Sequence, residues 1–505
     1  MVYVSPVVEL LRARPALVFW TAALAQSLLW TLVPALFYAS PPGDVPLVLA
    51  VGHEWQLGSW LGPPLAHWAA ELAFRLAGLT GVYALSQLCV VVALWAVFAL
   101  GRAIVGAKHA AMAVLLMAGI VAFGLPTVEF GPAVVAMPLT ALALLHYWRA
   151  IGEDRPRYWL ALGVDFGLLL LTTYAGFVPI ALVILFTIAM PRGRAQLAAP
   201  YPWAALVVTL LIVAPHLAWL RNEGAASFLA AASLPGSSVL LEWLWLVARL
   251  LLAHAGLVIL VAVAGGLFAD PRAEVPAIER GPLDRFAKRF VYFFALAPAL
   301  AVTLTTAVGG ENSFAAGFGP FVVLSGLLAI VAAGDVIRIH HQRIIGWVWL
   351  ALLAGPALLT IVAIVVLPWT LGTELPVSEP ATAMARFFTE TFNRRTGKPL
   401  AFVIGDTRLG GLVALASPDR PSLFVDGAAE RAPWIRADDV REKGAIVVWR
   451  LTDAAGQPPP AIRARFPDLV PEVPRPFERA IQGWPPLTRI GWAVIRPASA
   501  PGAAQ

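Results

Sequence analysis

Over its first 370 residues the chain alternates long apolar stretches with short polar breaks, and then its texture changes. Apolar runs of about 20 residues, enough to cross roughly 30 Å of hydrocarbon, fall near 16–38, 81–104, 108–125, 133–150, 158–174, 176–190, 203–220, 250–268, 290–308, 318–334 and 344–369. The pattern predicts a polytopic α-helical membrane protein with about eleven transmembrane helices. The first run follows Arg12 and Arg14 and continues without a small-residue cleavage site, which predicts a retained span rather than a signal peptide. Beyond 370, "AFVIG" (401–405), "SLFVD" (422–426), "GAIVVW" (444–449) and "RIGWAVI" (489–495) read as strands, alternating with helix-like stretches such as 380–395. These elements predict a small α/β domain over 371–505 with a partly parallel sheet, set against a membrane domain over 1–370. The Pro-rich stretch 457–476 and the tail 497–505 read as irregular surface.

Composition sharpens the class. With 59% hydrophobic and 13% charged residues, the chain lies outside the range of ordinary soluble domains. Its one cysteine, Cys89, sits in an apolar run, so neither a disulfide framework nor a Cys-based metal site is available. No internal repeat of the kind common in secondary transporters is visible.

Lys and Arg set the orientation. With the N-terminus inside, the inner loops hold Arg12, Arg14, Arg102, Lys108, Arg149, Arg155, Arg157, Arg192, Arg194 and the basic residues of 272–289 and 338–343, whereas the outer loops hold only Arg75 and Arg221. This places 39–80, 126–132, 221–240, 309–317 and everything beyond 370 outside. The net charge of +6 is therefore mostly a topology signal, and with no aromatic-interleaved basic tract it points away from nucleic acid. The Ala-, Arg- and Pro-rich style fits a bacterial inner membrane, with the N-terminus cytoplasmic and the C-terminal domain periplasmic.

The first outer loop carries the candidate chemistry. Asp44, in "SPPGDVP" just after the first span, has two readings: a partly desolvated carboxylate suited to take a proton from a hydroxyl, or ordinary Pro-Gly-Asp turn chemistry. His53 and Glu54 are neighbours, and in an extended segment they point opposite ways, so at most one faces a site there. Residues 64–78, "PLAHWAAELAFRLAG", place Leu65, Trp68, Leu72 and Leu76 along one side of a helix and His67, Glu71 and Arg75 along another, which predicts a helix lying at the membrane surface. Glu129, in "GLPTVEFGP" of the second outer loop, is either a second site carboxylate or a solvated loop charge.

These landmarks resemble the integral-membrane glycosyltransferases of the GT-C fold, specifically the protein-mannosyltransferase and lipid A aminoarabinose-transferase group (glycosyltransferase family 39-like). That group carries an Asp-Glu pair at the start of the first outer loop, then about twenty residues, then a Pro-Pro-Leu that opens a surface helix. Asp44 stands at the family's Asp and Pro63-Pro64-Leu65 supply the second landmark; "HWAAELAFRLAGLTGVYALSQL" and "PTVEFGPAVVAMPLTALALLHYWRA" (126–150) continue the likeness over roughly 15–240. Val45 replaces the Glu of the pair, and Leu61 and Gly62 replace the acidic residue that commonly precedes the prolines.

The resemblance implies inverting transfer of one monosaccharide from a polyprenyl-phosphate donor to a hydroxyl on a lipid or glycan acceptor at the outer face. In it Asp44 is the catalytic base, and Glu54, Glu129, His53 and His67 position sugar or acceptor. The leaving lipid phosphate needs a cation, for which Arg221 is the first candidate, ahead of Arg75 and Arg249. No cofactor is expected, since a monophosphate leaving group does not require a metal, with a divalent ion left open. Two alternatives stand beside this reading: a transporter or flippase of a lipid-linked sugar, and a catalytically inactive family member acting as a scaffold.

Overall fold

In the computed structural model, residues 4–224, 239–267, 274–309, 319–373, 375–451, 456–479, 481, 483–484 and 487–498 are described. The expectations for 225–238, 310–317 and the last residues of the tail lie outside them. Each of the eleven apolar runs contains helix among its described residues. Among the described residues seven helices are long and apolar enough to cross a membrane, and the pair Ala107–Met117 and Val121–Val128, bent by 90°, makes an eighth if counted as one span. Three shorter apolar helices, Tyr158–Leu170, Tyr174–Ala189 and Gly319–Ala332, account for the remaining runs.

By its contacts the chain divides into two compact units: Met1–Leu32, Leu61–Leu65 and Tyr83–Leu358 in one, and Val33–Trp60, Ala66–Val82 and Leu359–Gln505 in the other. Most of the segment 39–80, Leu61–Leu65 excepted, therefore groups with the C-terminal domain.

The first unit opens with helix α1 (Pro6–Ala13), which Ser5 caps by accepting from the Val8 amide, followed by α2 (Pro15–Phe37). Its core is a cluster of aromatic rings, with centroids 5.1 Å apart for Trp148 and Phe290 and 4.8 Å apart for Phe290 and Phe294. Helices Tyr158–Leu170 and Pro200–Trp219 approach so closely that a Cβ on Gly163 would meet the Ala205 carbonyl oxygen at 2.5 Å. The Thr209 hydroxyl donates to the Gly163 carbonyl across that contact at 2.9 Å, the small-residue packing of helices in lipid. The segments that basic residues assign to a common side also meet. Strand β1 (Ala277–Glu279) pairs antiparallel with β2 (Val336–Arg338), Arg12 donates to the Ala277 carbonyl at 2.8 Å, and the Ser5 amide donates to Gln342 at 2.7 Å.

The second unit holds a five-stranded sheet of β3 (Phe402–Gly405), β4 (Ser422–Val425), β5 (Ala445–Arg450), β6 (Arg475–Phe477) and β7 (Thr488–Ile495) in the order β4-β3-β5-β7-β6. Strands β4, β3 and β5 are parallel and β7 runs antiparallel to both β5 and β6, so the sheet is partly parallel as expected. β6 falls in the Pro-rich stretch that reads as irregular. Pro476 lacks an amide donor, which an edge strand tolerates, and β6 is the edge.

Helix α3 (Val45–His53) lies against this domain: the helix Leu409–Ala416 packs on it where a Cβ on Gly411 would sit 3.1 Å from the Pro46 Cβ. On α3 itself, Gly52 approaches the start of α4 (Leu65–Val105) so tightly that a Cβ would lie 2.3 Å from the His67 carbonyl oxygen. At 41 residues α4 is too long for one span, and it is broken at Ala77 and Gly78, the latter at φ 60°, a left-handed value that glycine adopts freely. What precedes the break is a helix, as expected, with an inward-facing polar row: His67 and Glu71 are buried while Leu72 and Leu76 are 55% and 78% exposed.

Candidate active site

Asp44 precedes α3, in a turn where Gly43 takes φ 50°. Its side chain is exposed and makes no capping hydrogen bond to the helix. The turn itself is tightly held: Arg408 donates to the carbonyls of Pro41 at 3.2 Å and Gly43 at 2.9 Å. Just upstream, the Ala39 and Ser40 amides both bond the Val377 carbonyl at 2.9 Å.

Glu54 sits at the other end of α3, about 15 Å along the helix from Asp44 at 1.5 Å per residue. The expectation that His53 and Glu54 diverge as in an extended strand needs correcting, because Glu54 continues in helical backbone at φ −80°, ψ −12°. Burial holds the Glu54 carboxyl above the usual carboxylate range; the Ser422 hydroxyl and His53 pull it partly back, and Glu71 adds to the rise. The folded state thus keeps a proton that the unfolded chain releases, and stability falls as pH rises from the ordinary Glu value near 4.3 through the raised one. Glu54→Gln is expected to remove this slope in pH-dependent unfolding and leave the protein as stable or more stable at neutral pH. An unchanged slope would place the titration elsewhere.

His53 turns instead to Glu71, whose carboxylate gathers three partners, two arginines and this histidine. Its Oε1 accepts from Arg75 Nε at 2.9 Å and lies 3.3 Å from His53 Nδ1, and its Oε2 accepts from Arg420 at 2.7 Å. The Glu71 side chain is only 2% exposed. A carboxylate so dehydrated persists because it is paired and hydrogen-bonded. Arg420 reaches it from a residue in left-handed backbone at φ 48°, with its guanidinium 4.5 Å over the Phe74 ring. Arg75, more exposed, lies 5.3 Å from the Trp55 ring, and Trp68 donates to the Gln56 carbonyl at 3.1 Å. These tryptophans are of the type that favours a membrane interface.

His67 is 2% exposed, packed beneath α3. The other candidates belong to the first unit. Glu129 is exposed at the end of the 3₁₀ turn Leu125–Val128. Arg221 is exposed just beyond Pro200–Trp219, and Arg249 is exposed on Val239–Ala253, donating to the Trp245 carbonyl at 3.4 Å. Within the second unit the structure brings His53, Arg75 and Glu71 together and sets Asp44 at the far end of α3. The two residues that sequence reasoning passed over, Arg408 and Arg420, reach groups more than three hundred positions away: the Pro41 and Gly43 carbonyls and the Glu71 carboxylate.

Residues 62–219 match the family model described as dolichyl-phosphate-mannose-protein mannosyltransferase. No curated protein sequence matches the chain. Among solved structures, ArnT from Cupriavidus metallidurans bound to undecaprenyl phosphate aligns with a TM-score of 0.59 at 15% identity, covering 96% of this chain and 99% of that one. Its apo state aligns with a TM-score of 0.57. The apo oligosaccharyltransferase of Archaeoglobus fulgidus aligns at 14% identity over 80% of this chain and 65% of that one, with a TM-score of 0.43. The chain is a multi-span membrane protein with the GT-C glycosyltransferase fold.

Proposed function

We propose that the chain is an inverting glycosyltransferase that moves one monosaccharide from a polyprenyl-phosphate carrier to a hydroxyl of a lipid or glycan acceptor. The observation that carries the reading is the match of residues 62–219 to a family whose named donor is a lipid phosphate-linked sugar. It is supported by the fold shared with a protein that binds undecaprenyl phosphate. In this reaction the acceptor oxygen attacks the anomeric carbon, its proton passes to Asp44, and the bond to the lipid phosphate breaks with its electron pair leaving on the phosphate. Arg221 is the first choice, and Arg75 and Arg249 are the second choices, for the positive charge that the departing phosphate needs. Glu54 or Glu129 orients the acceptor. The reaction belongs to the periplasmic face of a bacterial inner membrane, with the N-terminus in the cytoplasm.

The test compares membranes that carry the native chain with membranes that lack it, using mass spectrometry of polyprenyl-phosphate sugars and of glycosylated lipids and proteins. The expected result is consumption of one lipid-linked monosaccharide and appearance of an acceptor heavier by that sugar. If donor and acceptor are both present and no product forms, the reading fails. Movement of the lipid-linked sugar across the bilayer without a new glycosidic bond would favour the transporter instead.

A further inference from the structure

In the C-terminal sheet, β3 lies between β4 and β5, so the connection leaving β3 leads to one side and the connection leaving β4 crosses back to the other. Open α/β sheets hold ligands at the carboxyl ends of the strands where connections diverge in this way. Here that place lies just beyond Gly405 and Arg450, and its polar side chains are Asp406, Arg408 and Arg450, joined by Glu379. Glu379 forms ion pairs with both arginines, at 3.2 Å to Arg408 Nε and 2.5 Å to Arg450. The side chains of Arg408 and Glu379 are 21% and 11% exposed.

The Arg408 fork is directed into a turn of its own chain. One terminal nitrogen donates to the carbonyls of Pro41 and Gly43, and the other donates to the Pro376 carbonyl at 2.8 Å. Glu379 holds the guanidinium from behind. Three carbonyls read by one planar group define an orientation that a point charge such as lysine does not reproduce.

We propose that Arg408 is a positioning residue for the transfer reaction: the strand-end crevice of the C-terminal domain grips the Pro41–Gly43 turn and so aims Asp44, the next residue. The proposal rests on Asp44 acting as the base. It gives the C-terminal domain a direct part in the chemistry, since the group that fixes the base comes from the far end of the chain. The amides of Ala39 and Ser40 bond Val377, and the Ser40 hydroxyl donates to the Pro376 carbonyl. Loss of Arg408 therefore loosens the end of the turn without releasing the loop.

The experiment uses the full chain in lipid nanodiscs with Arg408→Lys and Arg408→Ala, and Arg394→Ala as an exposed control. Hydrogen exchange is read at amides 43–48 and in β3 and β5. Turnover is read with the polyprenyl-phosphate sugar that native membranes consume. Both Arg408 variants are expected to exchange faster at 43–48 while β3 and β5 keep their protection. Their kcat is expected to fall on the order of 10²-fold, the scale of a small misplacement of a reacting group, with KM for the lipid donor nearly unchanged. If Arg408→Ala unfolds the sheet, Arg408→Lys decides. Unchanged exchange at 43–48, or unchanged kcat where Asp44→Asn abolishes turnover, overturns the proposal. Should the native chain transfer no sugar, the functional reading fails, and exchange alone decides whether Arg408 holds the turn.

Discussion

Asp44→Asn is expected to lower kcat by roughly 10²- to 10⁴-fold, the range that a positioned general base contributes, while the thermal unfolding of the protein stays where it was. The substitution keeps the shape of the side chain and removes its negative charge and, with it, its capacity to accept a proton. The carboxylate is exposed and does not cap α3, and Arg408 holds the turn through backbone carbonyls rather than through Asp44. No structural debt therefore accompanies the change, and a loss of turnover reads as chemistry. The measurement is steady-state transfer from the lipid-linked donor, with melting followed on the same preparations. Full turnover in the variant would return Asp44 to the role of a turn residue and make Glu54 or Glu129 the candidate base.

The largest expected effect on stability is at Glu71. Its side chain is 2% exposed, and Arg420, 19% exposed, faces it at 2.7 Å. Removing one member of a buried ion pair leaves the other dehydrated without its counter-charge, which costs about 3–5 kcal/mol. Arg75, with its side chain 53% exposed, adds little because water screens it. Glu71→Ala is thus expected to destabilise the second unit, seen as early loss of exchange protection over 45–76 during denaturant titration. The double variant Glu71→Leu, Arg420→Met is expected to recover much of that loss, since replacing both buried charges with apolar groups is often neutral. A penalty below about 1 kcal/mol, the typical size for exposed pairs, would show that the network is solvated.

The membrane helices were legible because each is a long apolar run, and the strands because short β-rich segments stood out against polar surroundings. The helix over 65–76 was legible in its periodicity, while the depth of its polar row was not. Periodicity shows that His67, Glu71 and Arg75 share a face but carries no information about what covers that face. Arg420 and Arg408 left no local signal, since "SPDRPS" and "GDTRLG" read as ordinary turns and the groups they reach in 39–80 lie far away in sequence. β6 stayed hidden because Pro476 argues against a strand everywhere except at an edge. The His53–Glu54 geometry was misread because α3 runs through His53 and Glu54 keeps its helical backbone, where an extended segment had been expected.

The bond from Arg408 to the Gly43 carbonyl joins residues 365 positions apart. During synthesis at about 5–20 residues per second, an early outer loop waits roughly 20 to 70 s for that arginine to be made. Through this interval the turn that carries Asp44 has its own proline and glycine geometry but not its clasp. A ribosome that stops short of residue 408 therefore leaves a chain with its early membrane helices in place and the Asp44 turn unfastened. If Arg408 positions Asp44 as proposed, completion of the C-terminal sheet is the step that readies this turn, and the order of translation alone sets when that happens.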